Sequence, residues 1–280
     1  MPLRTDLAME CIDADSLPEA VHITERGRIF RITEVIIDDD SCLDAIGKGK
    51  GRYVTLECDD IGGFSDNYED MAHELAEELS SFIPEGDILV VVLGNSDITP
   101  DAIGPLTAAK VLATRHIRSE LSGSSDLCSL RPVSSFAGGV LGQTGIETAE
   151  IVRAVSGAVK PSAIIAADAL ACSDISRLGR TIQISDTGIS PGSGVSNARK
   201  ELSARVMGIP VIAVGIPTVV DMHTIVRSIT DIDADDGLPN MMVTPRDIDR
   251  LTERASQLLA MGLNMALQPS LSFGEVSGLF

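Results

Sequence analysis

The sequence predicts an α/β fold: a mostly parallel central sheet with helices on both faces, plus an N-terminal β-rich extension. Three observations predict it. Residues 88–93 are an unbroken apolar run rich in β-branched side chains and closed by Gly94-Asn95, as expected of a strand buried on both faces. Ala163-Ile164-Ile165-Ala166-Ala167 and residues 210–216 are further runs of the same kind. From residue 88 onward such runs alternate with helical patterns, which argues for one doubly covered sheet.

Each element follows from local chemistry. The first 25 residues are polar and weakly periodic and read as a frayed terminus. Residues 27–37 and 52–58 alternate as strands of the extension. Asp38-Asp39-Asp40 between them reads as a solvated loop, because three adjacent acids cannot all face one ion. Residues 69–83 form an amphipathic helix with Met71, Leu75, Leu79 and Phe82 on one face and His73 off it. After the 88–93 strand, Thr99 is placed as an N-cap, Pro100 as the first helical residue and Asp101 in the first turn of a helix reaching about residue 121. A loop at 122–128 and a short strand at 131–136 lead to a glycine-rich connection, 137–145, and a helix at 146–159. The strand from 163 ends at Asp168, and 181–186 is another strand before a turn rich in glycine, 187–194. Helices follow at 219–229 and 244–267. No repeat or linker divides the chain, so residues 1–280 are expected to form a single domain.

Composition narrows the function. A chain with 44% hydrophobic residues, 3% aromatics and no Trp must build its core from aliphatic side chains and Met. A net charge of −19 without a basic stripe argues against direct binding to nucleic acid or anionic membranes. It suits a neutral or basic protein partner. Five scattered cysteines (Cys11, Cys42, Cys58, Cys128 and Cys172), with no C-x-x-C, fit a reducing cytoplasm better than a disulfide framework or zinc site. Neither a signal peptide nor an apolar run of membrane-spanning length is present.

The chemistry centres on Asp101 and Asp168. Both end strands of the predicted sheet, at the carboxyl edge where open α/β sheets carry their sites. Amid Ala166, Ala167, Ala169 and Ala171, an ionised Asp168 is costly to desolvate, so it must be paired or hold its proton. Two neighbouring carboxyls keep one proton between them, and such a pair can activate water and protonate a leaving amine. With no Gly-x-Ser-x-Gly elbow and no Cys-His arrangement, the residues point to water-attacking hydrolysis, by an acid pair or by a metal held by acids. His116 is the candidate third group of the metal version. A non-enzymatic alternative is an anion-binding module at residues 142–145 or 192–194, from Gly142 to Gly145 or Gly192 to Gly194.

Longer motifs add to this. The stretches Arg4-Thr5-Asp6-Leu7-Ala8, Gly51-Arg52-Tyr53-Val54-Thr55-Leu56-Glu57, Thr99-Pro100-Asp101-Ala102, Gly142-Gln143-Thr144-Gly145-Ile146-Glu147-Thr148, Asp168-Ala169-Leu170-Ala171 and Thr181-Ile182-Gln183-Ile184-Ser185-Asp186-Thr187-Gly188 follow in order across nearly the whole chain. With Gly208-Ile209-Pro210 and Gly215-Ile216-Pro217-Thr218-Val219-Val220-Asp221, they resemble the germination proteases of endospore-forming bacteria. The resemblance implies an endopeptidase acting on small acid-soluble spore proteins, in the cytoplasm of the forespore and spore core. It also implies a fold like that of hydrogenase-maturing proteases, a homotetramer, and catalytic acids falling on Asp101 and Asp168. No cofactor is expected, with a divalent metal left open. Gln183, Ser185, Asp186 and Thr187 are candidates to line the substrate cleft, Asp186 being equally suited to a turn. Family members cut themselves at sites like Thr-Glu-(apolar)-Ala-x-Glu. Thr5-Asp6-Leu7-Ala8-Met9-Glu10 fits that pattern, so cleavage is expected between Leu7 and Ala8, making 1–7 a short propeptide. The leader before Leu7 and the segment between Ile229 and Asn240 are both brief for the family.

Overall fold

The computed structural model describes residues 5–12, 18–63, 65–120, 130–192, 200–230 and 240–279. Among them, nine strands form one sheet: β1 (Val21–Arg26), β2 (Arg31–Ile37), β3 (Gly51–Glu57), β4 (Ile88–Val92), β5 (Val133–Ala137), β6 (Ala163–Cys172), β7 (Thr181–Ser185), β8 (Val211–Asp221) and β9 (Met242–Val243). Their order is β1-β2-β3-β7-β8-β6-β4-β5, with β9 also on β8. The centre, β5-β4-β6-β8, is parallel. The β-rich extension joins it antiparallel, through β3 on β7 and β7 on β8. β1 forms from residues read as a frayed terminus; it is an edge strand with one buried residue, so its sequence carries little apolar alternation.

Ten helices accompany the sheet among the described residues: α1 (Leu43–Ile46), α2 (Tyr68–Ser80), α3 (Ile103–Ala108), α4 (Arg115–Glu120), α5 (Leu141–Thr144), α6 (Thr148–Val159), α7 (Ala204–Met207), α8 (Met222–Thr230), α9 (Ile248–Leu267) and α10 (Phe273–Ser277). Alternation along the strands divides the core between two faces. Val90, Val92, Ile165, Ala167, Ile212 and Val214 pack on one face with Leu75 and Leu79 of α2 and Leu259 and Leu263 of α9. Gly262 lets α9 approach α2; a Cβ there would lie 2.7 Å from the Leu75 side chain. On the other face, Leu89, Val91, Ile164 and Ala166 pack with Ala149 and Val152 of α6. Farther along, Val35, Ile37 and Tyr53 receive Ala8 from the N-terminal segment.

Several boundaries differ from expectation for identifiable reasons. Thr99 caps no helix: Thr99–Asp101 is a 3₁₀ turn without a side-chain cap, and Asp101 is its last residue. The helix after it stops at Ala108 instead of reaching residue 121. There Asn264 of α9 accepts from Leu112 N (2.9 Å) and donates to Lys110 O (2.8 Å), giving the loop the partners a continued helix would have supplied. β6 runs four residues past Asp168, and β8 continues to Asp221, so Val219 begins no helix. α6 and α9 start at Thr148 and Ile248, later than the sequence pattern suggests. The loop at 122–128, Cys128 and Gly194 lie outside the described residues.

Glu74 ties the extension to α2. Its buried carboxylate accepts from the backbone N–H groups of Arg28 (2.8 Å), Ile29 (2.8 Å) and Phe30 (2.9 Å) in the β1–β2 turn. Glu74→Ala strips three donors of their acceptor and is expected to cost about 2–4 kcal/mol. That would appear as a lower urea midpoint at unchanged slope.

Candidate active site

The site forms where β4 ends and β6 continues. β4 pairs with β6 only as far as Val92 opposite Ala167, while β8 stays paired with β6 to Val220 opposite Cys172. Asp168 is the first residue beyond that last β4 pair. After β4, Gly94 turns the chain at φ +105°, and a Cβ there would fall 2.1 Å from the Asp101 carbonyl oxygen. Asn95 N donates to that oxygen at 3.1 Å, folding the loop back so that Asp101 meets the end of β6. Asp101 and Asp168 line one cavity of about 370 Å³ with Asp6, Leu170, Pro191 and Thr218.

Both carboxyls are pushed towards their neutral forms. Burial raises Asp101 to about 6, opposed by a hydrogen bond from the Asn95 backbone. Asp168, 6% exposed, is raised well above the ordinary carboxylate value. Burial is the main cause, followed by the charges of Asp101 and Asp6, against one favourable bond from Ala169 N. Asp168 therefore keeps its proton to higher pH than an ordinary carboxyl, and Asp101 keeps its own to about 6.

The N-terminal segment lies against these residues. Asp6 N donates to Ala171 O (3.0 Å), and Ala171 N donates to the Asp6 carboxylate (2.8 Å), so Asp6 takes up the edge of β6 left open by β4. Leu7 is fully buried with Leu170, Cys172 and Val220. Gln183 brackets the Leu7-Ala8 bond: its Nε2 donates to Asp6 O (2.9 Å) and its Oε1 accepts from Ala8 N (2.6 Å). Lys48 Nζ also donates to Asp6 O (2.9 Å). The Glu10 carboxylate accepts from Ser173 N (2.6 Å), Ser173 Oγ (2.7 Å) and Asp174 N (3.0 Å).

Sheet register sets where Gln183 stands relative to Asp168. Gln183 and Asp168 both pair with Gly215, so they share one row and one face of the sheet. Gly215 between them has no room for a side chain, since a Cβ would lie 2.6 Å from Asp168 O and 2.7 Å from Leu170. Ser185, Asp186 and Thr187 line a second cavity, of about 630 Å³, and Asp6 and Leu170 border both. Asp186 also has the turn role: its carboxylate accepts from Arg52 N at 2.8 Å. The alternatives gather less. His116 is exposed on α4 and outside the lining of the Asp101–Asp168 cavity, and among the described residues no three His, Cys, Asp or Glu side chains converge as a metal site. Lys48, Ser173 and the open edge at Ala171 were invisible in the sequence because they meet the segment only through folding.

A family model described as germination protease matches residues 10–235. The chain belongs to the germination protease family. Two of its relatives illustrate the match. The germination protease of Clostridium tetani is 39% identical, with 99% of each chain covered. That of Priestia megaterium is 45% identical over 82% of this chain and 66% of its own. Among solved structures, the NiFe hydrogenase maturation protease HycI from Thermococcus kodakarensis covers 66% of this chain and 98% of its own, at 20% identity and a TM-score of 0.37. Family membership makes the chain a protease. No helix among the described residues is long and apolar enough to cross a membrane.

The raised carboxyls give a signed stability prediction. The folded chain holds protons on Asp101 and Asp168 that the unfolded chain releases above the ordinary value of 3.8. Their contribution to stability is therefore full below that pH and is lost as pH rises through the folded-state values, about 6 for Asp101 and well above the ordinary value for Asp168. Asp168→Asn abolishes the Asp168 part. Denaturant titrations from pH 4 to 7 should show the variant gaining on wild type as pH rises; a constant difference would contradict the assignment.

Proposed function

We propose that this chain is an endopeptidase that begins the breakdown of small acid-soluble spore proteins during germination, with Asp101 and Asp168 as its catalytic pair. The observation that carries the reading is that two carboxyls with raised pKa values share one cavity beside a docked segment of substrate-like sequence. Asp101, ionised, takes a proton from water as the water oxygen attacks the scissile carbonyl carbon. Asp168 gives its proton to the carbonyl oxygen. As the C–N bond breaks, the proton held by Asp101 passes to the leaving nitrogen, and the tetrahedral intermediate returns a proton to Asp168. Each acid is thus restored.

The docked segment supports self-processing between Leu7 and Ala8, with 1–7 as a short propeptide of a single peptidase domain. Gln183 and Lys48 hold the backbone on the amino side of that bond, the apolar pocket takes Leu7, and Ser173 with Asp174 N takes Glu10. A spore-protein substrate with an acid at the same spacing would use the same seats, while Ser185, Asp186 and Thr187 border the cleft. Assembly as a homotetramer and action in the cytoplasm of the forespore and spore core complete the reading.

Incubation with a small acid-soluble spore protein tests it. Wild type should cleave after the apolar residue of Thr-Glu-(apolar)-Ala, indifferent to chelator, and mature protein should begin at Ala8. Asp101→Asn or Asp168→Asn should lower the rate by roughly a thousandfold or more, as expected when one member of an interdependent pair is lost. Loss of activity with chelator would transfer the chemistry to a metal. In a second assay, Glu10→Gln should slow self-cleavage by roughly ten- to a hundredfold, since a hydrogen-bonded charge is worth about 1.5–3 kcal/mol; an unchanged rate would remove the Glu10 seat from recognition.

A further inference from the structure

The docked N-terminal segment sets a side chain against the nitrogen of the Leu7-Ala8 bond. Ala8 N, which would be the leaving nitrogen in self-cleavage, donates to Gln183 Oε1 at 2.6 Å. Gln183 Nε2 donates to Asp6 O at 2.9 Å. A carbonyl oxygen only accepts and a backbone N–H only donates, so the carboxamide serves both in one orientation alone. Leu7 and Ala8 are fully buried and Gln183 is 8% exposed, so little water competes for these bonds.

The two bonds are not equivalent. Asp6 O also receives Lys48 Nζ at 2.9 Å, so that carbonyl keeps a donor without Gln183. Among the described residues, the acceptor for Ala8 N is Gln183 Oε1. Gln183 stands in the middle of β7, paired with Thr55 of β3 on one side and Gly215 of β8 on the other. A group carried on a central strand is held in place more precisely than one on a loop.

We propose that Gln183 is a further catalytic residue, whose carboxamide oxygen holds the N–H of the leaving nitrogen while that nitrogen takes up its proton. The proposal rests on the self-cleavage reading above. In the planar amide, the bond to Oε1 joins two neutral groups. Once water has added to the carbonyl carbon, the nitrogen is pyramidal and carries a lone pair. The N–H held by Gln183 fixes the lone pair on another side of the nitrogen, where the proton carried by Asp101 is transferred to it. The N–H on Oε1 then belongs to a cation, and such hydrogen bonds are roughly twice as strong as neutral ones. As the C–N bond breaks, its electron pair stays on nitrogen and the product is a neutral amine. The contact is therefore strongest at the step that expels the nitrogen, which is the condition for accelerating it.

The test compares self-cleavage of the full-length chain with that of a chain whose Leu7-Ala8 link is an ester. Cys11 makes the second accessible: a synthetic 1–10 segment is ligated to a denatured chain beginning at Cys11, and the joined chain is folded. The ester oxygen has no hydrogen for Gln183 Oε1 to hold. Gln183→Met should slow cleavage of the amide by roughly ten- to a hundredfold, the range for losing one preorganised hydrogen bond at a reacting group. It should slow the ester by no more than about threefold, the effect of one weak hydrogen bond to Asp6 O. Gln183→Glu keeps an acceptor for Ala8 N and loses the donor to Asp6 O, so it should slow amide and ester by the same factor. Equal slowing of amide and ester in Gln183→Met would overturn the proposal, as would an amide-selective loss in Gln183→Glu. If Gln183→Met shows no cooperative thermal unfolding, the Gln183→Glu comparison decides alone. A wild type that does not cut between Leu7 and Ala8 would overturn the self-cleavage reading and this proposal with it. Wild-type cleavage matched by Gln183→Met overturns this proposal alone.

Discussion

Two neighbouring parallel strands of unequal length set up the site. β4 is five residues long and β6 is ten, so the two edges of β6 are in different situations beyond Asp168. One edge remains paired with β8; the other has lost its neighbour. Backbone donors and acceptors exposed in this way need partners, and for Ala171 the partner is Asp6 from the N-terminal segment. The same mismatch puts the Asp168 side chain where the sheet opens, and the turn at Gly94 sends Asp101 back over that opening.

Electrostatics follow from this geometry. A carboxylate at the mouth of an apolar sheet is poorly solvated, and a second one nearby makes ionisation of the first harder still. Among the described residues, the charges that act on Asp168 are those of Asp101 and Asp6, both of its own sign. The charge pattern elsewhere is different. Glu34, for example, is shared by Arg26 and Arg52, and these arginines hold its carboxyl below its ordinary value despite partial burial. Glu34 is thus held ionised by cations, while burial pushes Asp101 and Asp168 the other way.

Much of this was legible in the sequence, for reasons that can be named. The continuous apolar runs at 88–93 and 163–167 read as strands buried on both faces, and that reading put Asp101 and Asp168 at the same edge of one sheet. Gln183 was legible as a cleft residue only through family motifs; its register with Asp168 across Gly215 is a property of strand pairing. β1 escaped because an edge strand with one buried residue lacks the alternation that marks a strand. The break after Ala108 escaped because its cause, Asn264, is distant in sequence.

In the proposed mechanism Asp101 and Asp168 act as one unit with a proton held on Asp168. Carboxyl-selective NMR titration of the full-length chain, with Asp101→Asn and Asp168→Asn used to assign the two signals, tests it most directly. Asp168 should stay protonated well above the ordinary carboxylate range, Asp101 should titrate near 6, and Asp101→Asn should lower the Asp168 value by removing a like charge. Two carboxyls titrating independently near 3.8 would contradict it.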